Sequence, residues 1–132
     1  MSDHISMRFP ADTEYISAIR LAMSGLAGKM DYNLDEIEDL KSCVAEACLL
    51  LLCGQNCSAL DIDIDIEPGK TIKVNVRGME AKAAPCGEEY CADFNEEISR
   101  LMIGALSEGV VFNESGGILD SIAFSKSPSQ KD

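Results

Sequence analysis

The chain has no tryptophan, one histidine, four prolines and few aromatic rings, which make up 5% of its 132 residues. Its interior must therefore be built from aliphatic side chains. With 46% of residues apolar and a length that suits one domain, it has enough of them. Basic residues are scarce as well: 11 Lys and Arg stand against 23 Asp and Glu, a net charge of −12. Nucleic-acid backbones and anionic lipids are held by basic surfaces, so this balance argues against both as partners. It favours solubility, or a protein partner with basic patches. Long apolar runs are missing too. The stretch from Cys48 to Cys53 is far shorter than the roughly 20 residues that a membrane span needs. The opening MSDHISMRFP lacks a basic segment followed by an apolar one. No secretory signal is expected, and the cytoplasm is the expected compartment.

Six cysteines are present: Cys43, Cys48, Cys53, Cys57, Cys86 and Cys91. In a reducing compartment they are expected as free thiols. No pair has the close CxxC spacing of a structural zinc site, and the lone His4 is near a terminus, so no metal site is expected.

The most strongly marked stretch is Asn33 to Gly54, NLDEIEDLKSCVAEACLLLLCG. Asn33 suits an N-cap, and Glu36 sits three residues on, where a capping box requires it. Asp35 and Glu36 oppose the positive end of the helix dipole, and Gly54 can stop the helix. Ile37, Leu40, Val44, Cys48 and Leu51 share one face. From Ala45 onward the helix is apolar nearly all round except at Glu46. A carboxylate in such a run needs a partner, water or a task, which makes Glu46 the candidate functional residue.

Other elements follow from periodicity. Ile5, Met7 and Phe9 alternate with polar residues as a strand that Pro10 ends. A first helix, capped by Asp12 or Thr13, is expected to run to about Met30. Its buried stripe is Ile16, Ile19, Met23, Leu26 and Ala27, and Arg20 lies off it. Gly25 and Gly28 lower its helix propensity and suit close packing. Leu60, Ile62, Ile64 and Ile66 alternate with Asp61, Asp63, Asp65 and Glu67, a strand with one buried and one wet face. Pro68-Gly69 turns the chain into Ile72, Val74 and Val76, whose partners Lys73 and Arg77 can face the aspartates. The aspartate run is read as the charged outer face of a sheet rather than a calcium loop. Residues 78–93 are read as a loop. A third helix spans about Asn95 to Ser107, with Ile98, Leu101, Met102 and Ala105 expected to be buried. A last hairpin turns at Ser115-Gly116-Gly117. The tail SPSQKD is expected to fray. The fold expected is an α+β two-layer sandwich, a mostly antiparallel sheet covered on one face by helices, in one domain over residues 1–126 with a polar tail at 127–132.

The run EYISAIRLAMSGLAGKMDYNLDEIEDLKSCVAEAC resembles the start of bacterial anti-sigma factors of the serine-kinase type. The resemblance implies the histidine-kinase-like ATPase fold, here with a shortened lid. It also implies partners, a sigma factor and an anti-anti-sigma protein, and a homodimer. In that family a helix carries Glu as catalytic base and, four residues on, an Asn that holds magnesium. Glu46 matches the base, but Leu50 stands at the Asn position and cannot ligate a hard cation. The family's Asp-x-Gly, which reads adenine, falls at Gly78, Met79 and Glu80. Its glycine-rich phosphate loop falls at FNEEISRLM, where Glu96 and Glu97 repel phosphate. The expected nucleotide site is therefore degenerate, with no bound cofactor and Glu46 as a remnant base. Arg20 matches an arginine that the family uses to contact both partners.

Three functions are consistent with these residues. The first is a protein-binding anti-sigma-like regulator. The second is a divergent ATP-dependent serine kinase that uses Glu46 with Mg-ATP. The third is a ligand or redox sensor built on the old pocket, since Cys43, Leu50 and Cys53 lie on the Glu46 side of the helix.

Overall fold

A computed structural model describes residues 3–54, 57–67, 71–81 and 94–129. The element order is β1 (Asp3–Pro10), a 3-10 turn (Thr13–Tyr15), α1 (Ile16–Ala27), α2 (Leu34–Gly54), β2 (Cys57–Ile66), β3 (Ile72–Ala81), α3 (Glu96–Leu106), β4 (Glu108–Ser115) and β5 (Ile118–Lys126). The five strands form one sheet in the order β1-β2-β3-β5-β4, and every neighbouring pair is antiparallel. The helices pack on one face, giving the α+β sandwich expected from the sequence and consistent with the histidine-kinase-like ATPase fold.

The core sits between the sheet and α2. Leu60, Ile62, Ile64, Ile72, Val74, Val76, Ile122 and Phe124 project from β2, β3 and β5 and are buried. Above them lie Leu40, Val44, Cys48 and Leu51 of α2, the face set by helical spacing. Because α1 and α3 both pack against α2, its flanking positions Cys43, Ala45, Ala47, Leu50 and Leu52 are buried too. This explains an apolar composition all round the second half of the helix. Its start is the capping box read from the sequence. Glu36 N–H donates to Asn33 Oδ1, and Asn33 N–H donates to Glu36 Oε1, both at 2.8 Å.

The uncovered face of the sheet is a ladder of charge. Arg8 donates to both oxygens of Asp61 at 2.6 and 2.9 Å. Ser6 donates to Asp63 at 2.7 Å, and His4 Nδ1 lies 2.6 Å from Asp65. From β3, Arg77 opposes Asp61 and reaches Asp63 at 3.5 Å, and Lys73 opposes Asp65. The aspartates thus meet cations and hydroxyls across strands, as the alternation implied.

Several expectations need correction. β3 continues to Ala81 where a loop was expected from Gly78. β2 begins earlier than its apolar alternation, at Cys57, and supplies ladder partners for Gly78, Met79 and Ala81. Helix α1 ends at Ala27, before Met30. Gly25 does not serve close packing among the described residues, none of which would lie within 4 Å of a Cβ there. The tail does not fray at once. Ser129 N–H donates to Glu36 Oε2 at 2.5 Å, and the Ser127 and Thr71 hydroxyls are 2.9 Å apart. The turn at Pro68-Gly69 and the stretch 82–93 lie outside the described residues. The turn at Gly116-Gly117 forms as expected, with φ of 59° and 82° at the two glycines, values that favour glycine.

Candidate functional site

The site implied by Glu46 lies where α2 and α3 pack together. Two positions along each helix locate the contact. Ser99 Oγ donates to Glu46 Oε1 at 2.5 Å, and the Cys43 thiol lies 4.0 Å from the carbonyl oxygen of Ile103. Glu46 is half-buried, whereas Ser99 is 2% exposed. The carboxylate in the apolar run therefore has a hydroxyl partner contributed from 53 residues away. Ser99 was missed by the sequence reading. Its only signal is a polar residue one helical turn before Ile103, on a face that looked secondary.

The rotation of α3 that presents Ser99 differs from expectation. Ser99 and Ile103 are its buried residues, whereas Ile98 is 55% and Leu101 72% exposed, Ala105 is exposed and Met102 half-buried. A second set of contacts lies on the adjacent flank of the helix, about 100° round from Ser99. Arg100 donates to Glu114 of β4 at 2.7 Å and stacks 4.7 Å over the Phe112 ring. With Arg100 held toward β4 and Ser99 bonded to Glu46, Ser99 and Ile103 are the residues turned to the interior.

The three positions that resemble nucleotide motifs can now be placed. Leu50, one turn after Glu46, is 1% exposed and belongs to the hydrophobic core. Gly78 is half-buried in β3 opposite Leu60 and offers no side-chain acceptor. At the start of α3, Asn95 Oδ1 accepts from Ile98 N–H at 3.0 Å, Glu96 pairs with Arg100 at 2.9 Å, and Glu97 is exposed. Here a side-chain cap and two carboxylates occupy the positive end of the helix, where a phosphate cradle needs free N–H groups.

The cysteines divide. Burial pushes Cys43 up to about 11 and Cys48 up to about 12, so both are protonated at neutral pH. Cys43 and Cys48 are buried free thiols and Cys57 is buried in the core, while Cys53, at the end of α2, is disulfide-bonded. The expectation of free thiols throughout thus fails at Cys53. Cys86 and Cys91 lie outside the described residues.

Arg20 is half-buried on α1, and its charge helps hold the Glu38 carboxyl below its ordinary range, after the larger effect of the Lys41 hydrogen bond. Among the described residues, no hydrogen bond or ion pair engages its guanidinium. Glu46 and Arg20 therefore belong to separate regions, one between α2 and α3, the other on α1. A cleft of about 490 Å³ lies on the uncovered sheet face, lined in part by His4, Asp63, Asp65, Lys73 and Asn75. Its carboxylates are those already engaged in the cross-strand ladder.

No protein-family model matches the chain. A stretch of 47 residues, 36% of the chain, is 55% identical to the serine-protein kinase RsbW of Bacillus licheniformis and to that of Bacillus subtilis. A stretch of 46 residues is 46% identical to the serine-protein kinase RsbW of Bacillus thuringiensis. Each match spans only 29% of the relative's length. The chain is thus similar, over that stretch, to the serine-protein kinases named RsbW, and its helices lie over one face of an antiparallel sheet.

Proposed function

We propose that the chain is an anti-sigma-like regulator that acts by protein–protein contact, with a nucleotide site that has lost its ligands. Its partners are a sigma factor and an anti-anti-sigma protein, docking around Arg20, and its working compartment is the cytoplasm. No helix among the described residues is long and apolar enough to cross a membrane. The observation that carries the degenerate-site reading is Leu50. At 1% exposure it fills the place beside Glu46 where a magnesium ligand is needed. Ser99 satisfies the carboxylate, and no cofactor is needed to balance it. The activity for which the relatives are named, serine-protein kinase, favours the alternative: a divergent kinase that uses Glu46 as base.

A thermal-shift titration with Mg-ATP separates the two. Ligand at ~100 times its dissociation constant stabilises by about 2.7 kcal/mol, which for this length raises Tm by ~10 °C. The regulator reading expects no shift at millimolar Mg-ATP, and saturable stabilisation sinks it. For the protein contact, Arg20→Glu is expected to weaken capture of both partners in a pull-down. A folded variant that binds as the wild type does removes Arg20 from the interface.

A further inference from the structure

The end of β5 leads into a short segment that bonds to several elements at one end of the sandwich. Lys126, the last residue of β5, donates to Asp39 of α2 at 3.1 Å and to the carbonyl oxygen of Leu106, the last residue of α3, at 2.8 Å. Its own carbonyl oxygen accepts from the Tyr32 hydroxyl, which in turn accepts from Ile72 N–H at 3.1 Å. Tyr32 lies in the connection between α1 and α2 and is buried. One residue on, Ser127 Oγ lies 2.9 Å from the Thr71 hydroxyl and donates to Glu108 of β4 at 3.3 Å. Ser129 N–H then donates to Glu36 Oε2, and Asn33 Nδ2 lies 3.5 Å from Ser129 Oγ.

Two features set residues 127–129 apart from the body of the fold. The first is that they share a fastener with α2. Glu36 is buried, and while its Oε1 closes the capping box, its Oε2 holds the tail. The second is that the grip is polar. Ser127 and Pro128 are half-buried, Ser129 is exposed, and none of the three belongs to the hydrophobic core. Each hydrogen bond made by the tail replaces one to water. Its net gain is therefore of the same size as the entropy lost in ordering one residue. A segment held on those terms opens and closes without unfolding the rest.

We infer that residues 127–129 are a detachable strap, which when seated steadies the first turn of α2 through the shared Glu36 carboxylate, and which a negative charge on Ser127 releases. Release leaves the Glu36 side chain fastened on one side only, so the first turn of α2 opens more often. The sheet is untouched, because its pairing ends at Lys126. The surroundings set the sign of the lever. Glu36, Asp39 and Glu108 all bond to this segment, against one cation, Lys126. A charge added to Ser127 meets the Glu108 carboxylate that its hydroxyl now serves, and repulsion lifts the strap. This device is independent of the partner and nucleotide readings above.

Hydrogen exchange followed by mass spectrometry tests it on the full chain, comparing wild type with Ser127→Asp, Ser127→Asn and Ser129→Pro. Ser129→Pro deletes the N–H that Glu36 Oε2 accepts from the tail. Ser127→Asn has nearly the shape of the aspartate variant without its charge. In wild type, the Ser129 amide is expected to exchange at least ~10-fold faster than those of Ile62 and Ile64 in β2. Ser127→Asp and Ser129→Pro are expected to speed exchange over residues 33–37 by ~10-fold and to leave β2 and the middle of β3 at wild-type rates. Ser127→Asn is expected to stay within about twofold of wild type. Three results overturn the inference. If either Ser127→Asp or Ser129→Pro exchanges as wild type does over residues 33–37, the tail does not steady α2. If the acceleration spreads evenly through β2 and β3, the tail belongs to the cooperative fold and is no strap. If Ser127→Asn acts as strongly as Ser127→Asp, charge is not the lever.

Discussion

Replacing Leu50 with asparagine restores, at one position, the ligand that the kinase-type family motif requires, and it tests whether the space beside Glu46 is filled. The Leu50 side chain is 1% exposed and belongs to the hydrophobic core. Truncating such a leucine costs roughly 2–5 kcal/mol, so Leu50→Ala is expected to cost about 3 kcal/mol. Asparagine keeps part of the volume but buries an amide with no partner at hand, which adds roughly 1–3 kcal/mol. Leu50→Asn should therefore destabilise by about 4 kcal/mol. At ~2.1 cal/mol/K per residue, the unfolding entropy of this chain is ~0.28 kcal/mol/K, so Tm should fall by ~14 °C. Urea titration measures the loss directly, with an unchanged slope expected for both variants. Mg-ATP added to Leu50→Asn should give no stabilisation, because Gly78 and the capped, acidic start of α3 are unaltered. Two results refute the reasoning. One is Leu50→Asn within ~1 kcal/mol of wild type, which means the amide found water or a polar partner. The other is Mg-ATP stabilisation of that variant, which means the pocket is open and only its ligand was missing.

Asn33→Ala removes the N-cap of α2 and is expected to cost ~1 kcal/mol by urea titration. Burial acts to raise the Glu36 pKa, but hydrogen bonds from Asn33 and Ser129 outweigh it and hold the carboxyl below its ordinary value. Its ionised form is thus favoured in the folded state. The stability it contributes is present above the ordinary carboxylate pKa and is lost as pH falls through the folded value, and Glu36→Gln should flatten that acid limb. The hydrogen bond to Asp65 raises the His4 pKa, with help from the Asp65 and Asp63 charges. The sign is therefore opposite. The contribution of His4 is complete below its ordinary value and fades as pH rises through the folded one. An NMR titration should place its midpoint above 6.5, and a midpoint at or below that value contradicts the ladder. Cys43 and Cys48, pushed up to about 11 and about 12 by burial, should resist iodoacetamide at pH 7.5 in the native protein and react on unfolding. Modification of either thiol in the folded chain, located by mass spectrometry, would restore the redox-sensor reading.

Features set by neighbours in sequence were legible. The capping box needs only Asn33 and Glu36 three residues apart, and both its hydrogen bonds form. The β2–β3 hairpin was legible because strict alternation fixes which residues face the core and which meet across strands, down to Asp61 against Arg77 and Asp65 against Lys73. The extension of β3 was not, because residues 78–81 have no alternation of their own and are strand only through pairing with the first residues of β2.

The site divides in the same way. Sequence alone marked Glu46 as a carboxylate that needs a partner, Leu50 as a residue that cannot hold a metal, and Arg20 as a charge off the buried stripe. These statements depend on residue type and spacing, which a linear chain carries in full. Tertiary structure decided the rest. The apolar stripe of α3 pointed to Ile98 and Leu101 as the inward face, and periodicity had no means of weighing it against Ser99 and Ile103. That choice was made by groups distant in sequence. Arg100 is drawn to Glu114 and Phe112, and Glu46 takes the Ser99 hydroxyl. Local pattern fixes which residues can be buried together, whereas the rotation of a helix depends on which distant partners satisfy its polar groups.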